Sequence, residues 1–255
     1  MSKRAFTLLE LLIAVAVVAL LAIMVTVAGW RVYQSSSLAV SANNLRQLAA
    51  GASGYLADHR QEFWRYRENT PGGGVRWWFG LEPASSFGAG EGNRTFDATQ
   101  GPLGAYIPAA PRPDPSFQIT GHAFKPKYSF GYIGIGYNVL LADSAGNRLK
   151  AWVGAGQPAR VQDLSNPAQV VVFATSAQIN TFQSPASSAN PMVEEFYGLD
   201  DVEKTVHFRH GKDAMVVFAD GSVGFLPCDK STLDDRLPRV RIGRFAPTGS
   251  KKYLR

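Results

Sequence analysis

From Leu11 to Gly29 the chain carries no charged residue, and Thr26 is its only polar side chain there. An apolar run of this length has few structural options. In lipid every backbone polar group must be satisfied within the segment, which leaves a helix. About 20 residues at roughly 1.5 Å each cross the hydrocarbon layer. Before the run stand Phe6-Thr7-Leu8-Leu9-Glu10, preceded by Lys3, Arg4 and Ala5. The basic pair is expected to stay cytoplasmic, with everything after Gly29 outside. Glu10 is the anomaly. A carboxylate in a membrane segment is costly and is a functional hypothesis by default. It needs a positive partner that the apolar run does not supply, and a free amine made by cutting between Ala5 and Phe6 would be one. An ordinary secretory signal peptide accounts for the basic start and the apolar run but not for Glu10, and Thr26-Val27-Ala28 is only a faint cleavage site.

The helix is expected to continue. Leu38, Ala42, Leu45, Leu48, Ala49, Ala52, Tyr55, Leu56 and His59 recur at spacings of three and four, with Asn43, Asn44, Arg46, Gln47 and Ser53 largely off that stripe. The reading is a membrane helix over 6–29 and an amphipathic continuation over 30–66, with the helix itself running from Phe6 to near Arg60, a rod on the order of 80 Å if straight. Gly51 and Gly54 weaken it by about 1 kcal/mol each relative to Ala. The remainder of the 255 residues is long enough for one core of its own. With 45% hydrophobic and 18% charged residues it is not a disordered chain.

A globular, β-rich head is predicted over 67–228, beginning with a Gly/Pro-rich loop at 68–115. Trp64, Trp77, Trp78 and Phe79 are expected to anchor that loop to the core rather than to form an exposed patch. Strands are predicted in Tyr128–Tyr137 and Gln169–Ala174, the latter entered from the turn Ser165-Asn166-Pro167. Ala214–Ala219 and Ser222–Leu226 form a hairpin about Asp220-Gly221, read as a type I′ turn with positive φ at both central residues. Residues 229–255 read as a basic tail containing Arg236, Arg239, Arg241, Arg244, Lys251, Lys252 and Arg255. One long helix followed by antiparallel strands is an α+β layout.

The N-terminal block resembles the leader and helix start of type IV pilins and the pseudopilins of type II secretion. Lys3 and Arg4 match the basic leader (1–5), and Phe6 to Leu12 match the helix start. The resemblance implies cleavage of Ala5–Phe6 by a prepilin peptidase, N-methylation of Phe6, and a Glu10 that neutralises the amine of a neighbouring subunit. The family usually has Gly before the cut, where this chain has Ala5. A pilin-like fold is implied, with the sheet on the outer half of the helix. So are a single pass through the bacterial inner membrane and a periplasmic or extracellular head. The implied partners are other pilin or pseudopilin subunits and a secretion or pilus assembly platform, with no enzymatic role. His210, nine residues, then Asp220-Gly221 resembles a C-terminal signature of large pilin-like proteins. Phe130-Gly131-Tyr132 and Pro167-Ala168-Gln169-Val170 look like mid-chain segments of the same group.

Other chemistry is thinly supported. Asp220 and Gly221 have a sufficient turn role, and His210 with Gly211 is expected to close the loop entering the hairpin, its ring held by the Asp220 carboxylate or a nearby carbonyl. A metal site from His207, His210, Asp213 and Asp220 has no recognised zinc spacing. Some pseudopilins use calcium, which points to Asp200, Asp201 or Asp220, yet no loop has the ligand density of a dedicated site. Gly134-Ile135-Gly136 and Gly154-Ala155-Gly156 lack the rest of a dinucleotide fingerprint. The lone Cys228 excludes an intrachain disulfide and reads as a packed apolar residue. Net charge is +6, or +4 without Lys3 and Arg4. That mild bias, spread along the tail, favours a solvated face over nucleic-acid binding, the alternative role of a DNA-binding minor pilin for uptake; a membrane-tethered extracytoplasmic protein of unknown activity is the other alternative.

Overall fold

The computed structural model describes residues 7–107, 113–117, 123–129, 133–246 and 253–254. Backbone contacts divide the chain into two units, Met1–Ala39 and Val40–Arg255. One helix, α1 (Leu8–Asp58), runs through both. The predicted continuation to residue 66 stops at Asp58, because Arg60 and Gln61 both take left-handed φ (55° and 61°) and the Gln61 amide caps the Leu56 carbonyl. Neither is glycine, so nothing in the local sequence announces this stop.

In the second unit Leu45, Leu48, Ala49, Ala52 and Leu56 are buried, as the stripe predicts, against Trp64, Phe173, Met215 and Val217. Each such Leu contributes about 1.5–3 kcal/mol of burial. Asn44, placed off the stripe by sequence, is buried as well. Gly51 and Gly54 have a packing reason. A Cβ on Gly51 would sit 2.5 Å from Ile107 Cγ1, and one on Gly54 would sit 2.9 Å from Tyr106 Cδ1.

The stretch expected to be loop contains an antiparallel three-stranded sheet, β1 (Arg67–Asn69), β2 (Val75–Trp77) and β3 (Gly80–Glu82). Trp64, Trp78 and Phe79 lie in the main core and Trp77 packs on it, so these aromatics anchor the segment as expected. Next come β4 (Phe124–Lys125), β5 (Ile135–Asn138) and a short helix α2 (Arg148–Val153). Sequence reading missed α2, although Asn147 caps it through the Lys150 amide and Gly154 ends it at φ 74°. The expected strand at Tyr128–Tyr137 narrows to β5, and its residues 130–132 lie outside the described residues.

The remaining strands are β6 (Val171–Thr175), β7 (Gln178–Asn180), β8 (Met192–Glu194), β9 (Gly198–Leu199), β10 (Val206–His207), β11 (Asp213–Phe218), β12 (Val223–Asp229) and β13 (Ile242–Phe245). Among the described residues the main sheet has the order β10-β13-β12-β11-β6-β5-β9, antiparallel except for β5-β9. A smaller sheet has the order β4-β8-β7. The supposed tail is therefore corrected: Ile242–Phe245 is an interior strand between β10 and β12. Its Ile242 and Phe245 are buried, and the intervening arginine made the segment look solvated. The molecule is α+β and pilin-like in class, a long N-terminal helix followed by a β-rich head with antiparallel sheets.

Candidate functional site

Leu8–Gly29 is, among the described residues, the one helical stretch long and apolar enough to cross a membrane, with mean hydropathy 3.1 and none of it buried. Glu10 lies in its first turn. The Glu10 Oε2 atom accepts from the Thr7 amide and the Thr7 hydroxyl, both at 2.9 Å, while the Glu10 amide donates to Thr7 Oγ1 at 3.2 Å. This reciprocal arrangement is a capping box. It starts the helix at residue 8 and leaves the second carboxylate oxygen for another donor. Lys3, Arg4, Ala5 and Phe6 lie outside the described residues.

The second candidate, His210 with Asp220-Gly221, is not one cluster. His210 precedes β11 and Asp220 follows it. The Gly221 amide donates to the Phe218 carbonyl, and the Phe218 amide to the Ser222 carbonyl. This is a three-residue loop with left-handed conformation only at Gly221 (φ 86°), not a two-residue type I′ turn with Asp220 at positive φ. Asp220 Oδ1 instead accepts from the Ser222 amide and hydroxyl at 2.9 and 2.6 Å. Its carboxylate is therefore spent locally and does not hold the His210 ring, whose buried Nε2 has no hydrogen-bond partner. The His210 backbone, with Gly211 at φ 71°, closes the turn through a reciprocal pair with Asp213. Burial, then the nearby Arg209 charge, pushes His210 down to about 4.

Sequence reading missed the group beside it. Arg209 donates to Asp114 Oδ2 at 2.6 Å, to the Gly134 carbonyl at 2.8 Å and to His207 Nδ1 at 3.3 Å. Arg209 and Asp114 side chains are 3% and 1% exposed. Ser41 of α1 donates to Asp114 Oδ1 at 2.6 Å. Burial raises the Asp114 carboxyl, but Arg209 and the serine hydroxyls outweigh it and hold it at about 2. Burial and Arg209 keep His207 well below its ordinary value. A ring accepting at Nδ1 and facing a guanidinium is a poor metal ligand. Among the described residues no three His, Cys, Asp or Glu gather as a metal site. The Asp200 carboxylate is taken by Arg148 Nε at 2.5 Å, Trp152 Nε1 at 2.7 Å and two backbone amides. Cys228 lies in β12 opposite Phe245, and burial pushes its thiol up to about 11, against a nucleophilic role.

Of the basic tail, Arg236 pairs with Asp234, Arg241 donates to the Gly211 carbonyl and Arg244 to the Val202 carbonyl. Lys251, Lys252 and Arg255 lie outside the described residues.

Residues 1–26 match the family described as the prokaryotic N-terminal methylation motif. No curated protein matches the chain. No solved structure matches it either. The motif, with the apolar helix behind it, supports a type IV pilin-like protein that is a substrate for prepilin processing and assembles with other pilins. The same pair fits anchorage in the inner membrane.

Proposed function

We propose that this chain is a structural subunit of a type II secretion pseudopilus or a type IV pilus-like filament, and not an enzyme. The prepilin peptidase cuts between Ala5 and Phe6 and methylates Phe6. Mature subunits then leave the inner membrane helix-on-helix, driven by an assembly platform, with the head periplasmic or extracellular. The observation that carries this reading is the methylation motif over residues 1–26, joined to a membrane-length helix whose first turn holds Glu10. In a low-dielectric bundle an unpaired Glu10 is strongly unfavourable, so pairing with the Phe6 amine of the next subunit selects correctly seated neighbours. The capping box leaves one Glu10 oxygen for that amine. The His210/Asp220-Gly221 signature has a structural role at the two ends of β11. No cofactor is assigned; calcium at Asp200 would have to displace Arg148 and Trp152.

Intact mass and N-terminal sequencing of the membrane-extracted protein test this. The expected chain begins at N-methyl-Phe6. One that begins at Met1 or near Gly29 overturns the assembly reading.

A further inference from the structure

The head carries a cleft of about 460 Å³ at the C-terminal end of α1. That volume falls within the roughly 300–1,000 Å³ of small-ligand sites. Tyr55 and His59 stack with centroids 3.8 Å apart and an interplanar angle of 1°, and Tyr106 meets Tyr55 edge-on at 5.8 Å. Glu68 sits between two arginines, 3.9 Å from Arg65 and 3.5 Å from Arg76. Arg76 Nε also donates to the Gln100 carbonyl at 3.2 Å and Arg65 to the Gly154 carbonyl at 3.4 Å, but the contacts to Glu68 are loose compared with the 2.6 Å pair at Asp114, and each guanidinium has five N–H donors, so hydrogen-bonding capacity remains. His59 Nδ1 lies 2.8 Å from the Tyr55 carbonyl and donates to it, which leaves Nε2 for another partner. Trp64 closes the inner wall with a buried indole N–H that has no acceptor.

The chemistry selects the ligand class. An anion would meet Glu68, and a cation would meet two guanidiniums. A wholly apolar ligand would strip water from all three charges without replacement. A polyhydroxylated ring suits every group: each hydroxyl both donates and accepts, matching guanidinium, carboxylate and imidazole. The slightly positive C–H face of such a ring meets the negative face of the aromatic stack. We propose that this cleft binds a saccharide unit of a glycan.

The test is calorimetric titration of the full chain in zwitterionic lipid nanodiscs with cellotetraose, chitotetraose and maltotetraose. Sodium acetate and sodium phosphate are run in parallel. At least one saccharide should bind saturably. His59→Ala and Arg76→Ala should each weaken it by about tenfold, on the order of one charge-assisted hydrogen bond or stacking contact. Both are surface changes, and unchanged melting midpoints would show that the fold is intact. Absence of saccharide binding, acetate or phosphate binding that competes with it, or variants that bind like the parent would each overturn the proposal. The filament reading is unaffected by any of these results, since processing at Phe6 is measured separately.

Discussion

Two buried acids of the head respond to pH in opposite directions. Asp114, held at about 2 from an ordinary 3.8, adds stability at neutral pH that disappears as pH falls below about 4. Removing its partner is worse than protonating it. Arg209→Ala leaves an uncompensated buried carboxylate, and urea titration at pH 7 should show a loss of about 3–5 kcal/mol. Glu195 is fully buried, with Oε1 accepting from the Lys127 and Tyr128 amides and Oε2 unpaired. Burial lifts its carboxyl from 4.5 to about 7, and the two amides only partly offset this. Its folded pKa exceeds the unfolded one, so its contribution is complete below about pH 4.5 and lost as pH rises through about 7. Glu195→Gln should therefore stabilise the protein by about 1–3 kcal/mol at pH 8 and by little at pH 4.5, read from denaturant midpoints at both values. On the proposed reading, Glu10 pairs with the Phe6 amine of a neighbouring subunit. Glu10→Ala and Glu10→Val should be cut and methylated normally yet be missing from sheared filaments. Normal incorporation of either variant would remove the role assigned to this carboxylate.

At the scale of elements, the strongest periodicities transferred directly to structure. The apolar run and the three-four stripe gave the course of α1, although the continuation assigned to residue 66 overran its end at Asp58, and the apolar runs flanking Asp220-Gly221 gave β11 and β12. What stayed illegible depended on partners distant in sequence. β7, β8, β9 and β10 have only two or three residues each, too few to carry a period. The end of α1 is set by two exposed non-glycine residues in left-handed conformation, held by the Gln61 amide on the Leu56 carbonyl and by the Val161 amide, distant in sequence, on the Gln61 carbonyl. The clamp between Asp114 and Arg209 joins residues with no local pattern in common. Gly51 shows how packing reverses a propensity rule. In an isolated helix Gly51→Ala would gain about 1 kcal/mol. Here the new Cβ overlaps Ile107, so the variant should lose about 1–3 kcal/mol in thermal or urea melts.

For the whole molecule, the N-terminal block was the most readable part, because a membrane segment, a cut site and one carboxylate leave few readings. The head, by contrast, disclosed its class but not its cleft, whose walls come from the end of α1, from β2 and from residues 99–106. The C-terminal residues were the most misleading part, since alternating arginines disguised an interior strand. Ending the chain at Asp229 should therefore abolish the cooperative melt of the head rather than trim a solvated extension, and circular dichroism against temperature checks this. The position of β13 also sets an order of events. A ribosome makes this strand after both of its neighbours, yet β10 and β12 have no direct pairing with each other and wait on either side of its place. Until Ile242–Phe245 arrives, the sheet is a gapped intermediate with two open edges. Such edges recruit other chains, so the interval before this strand closes the sheet is when misregistered association is most dangerous.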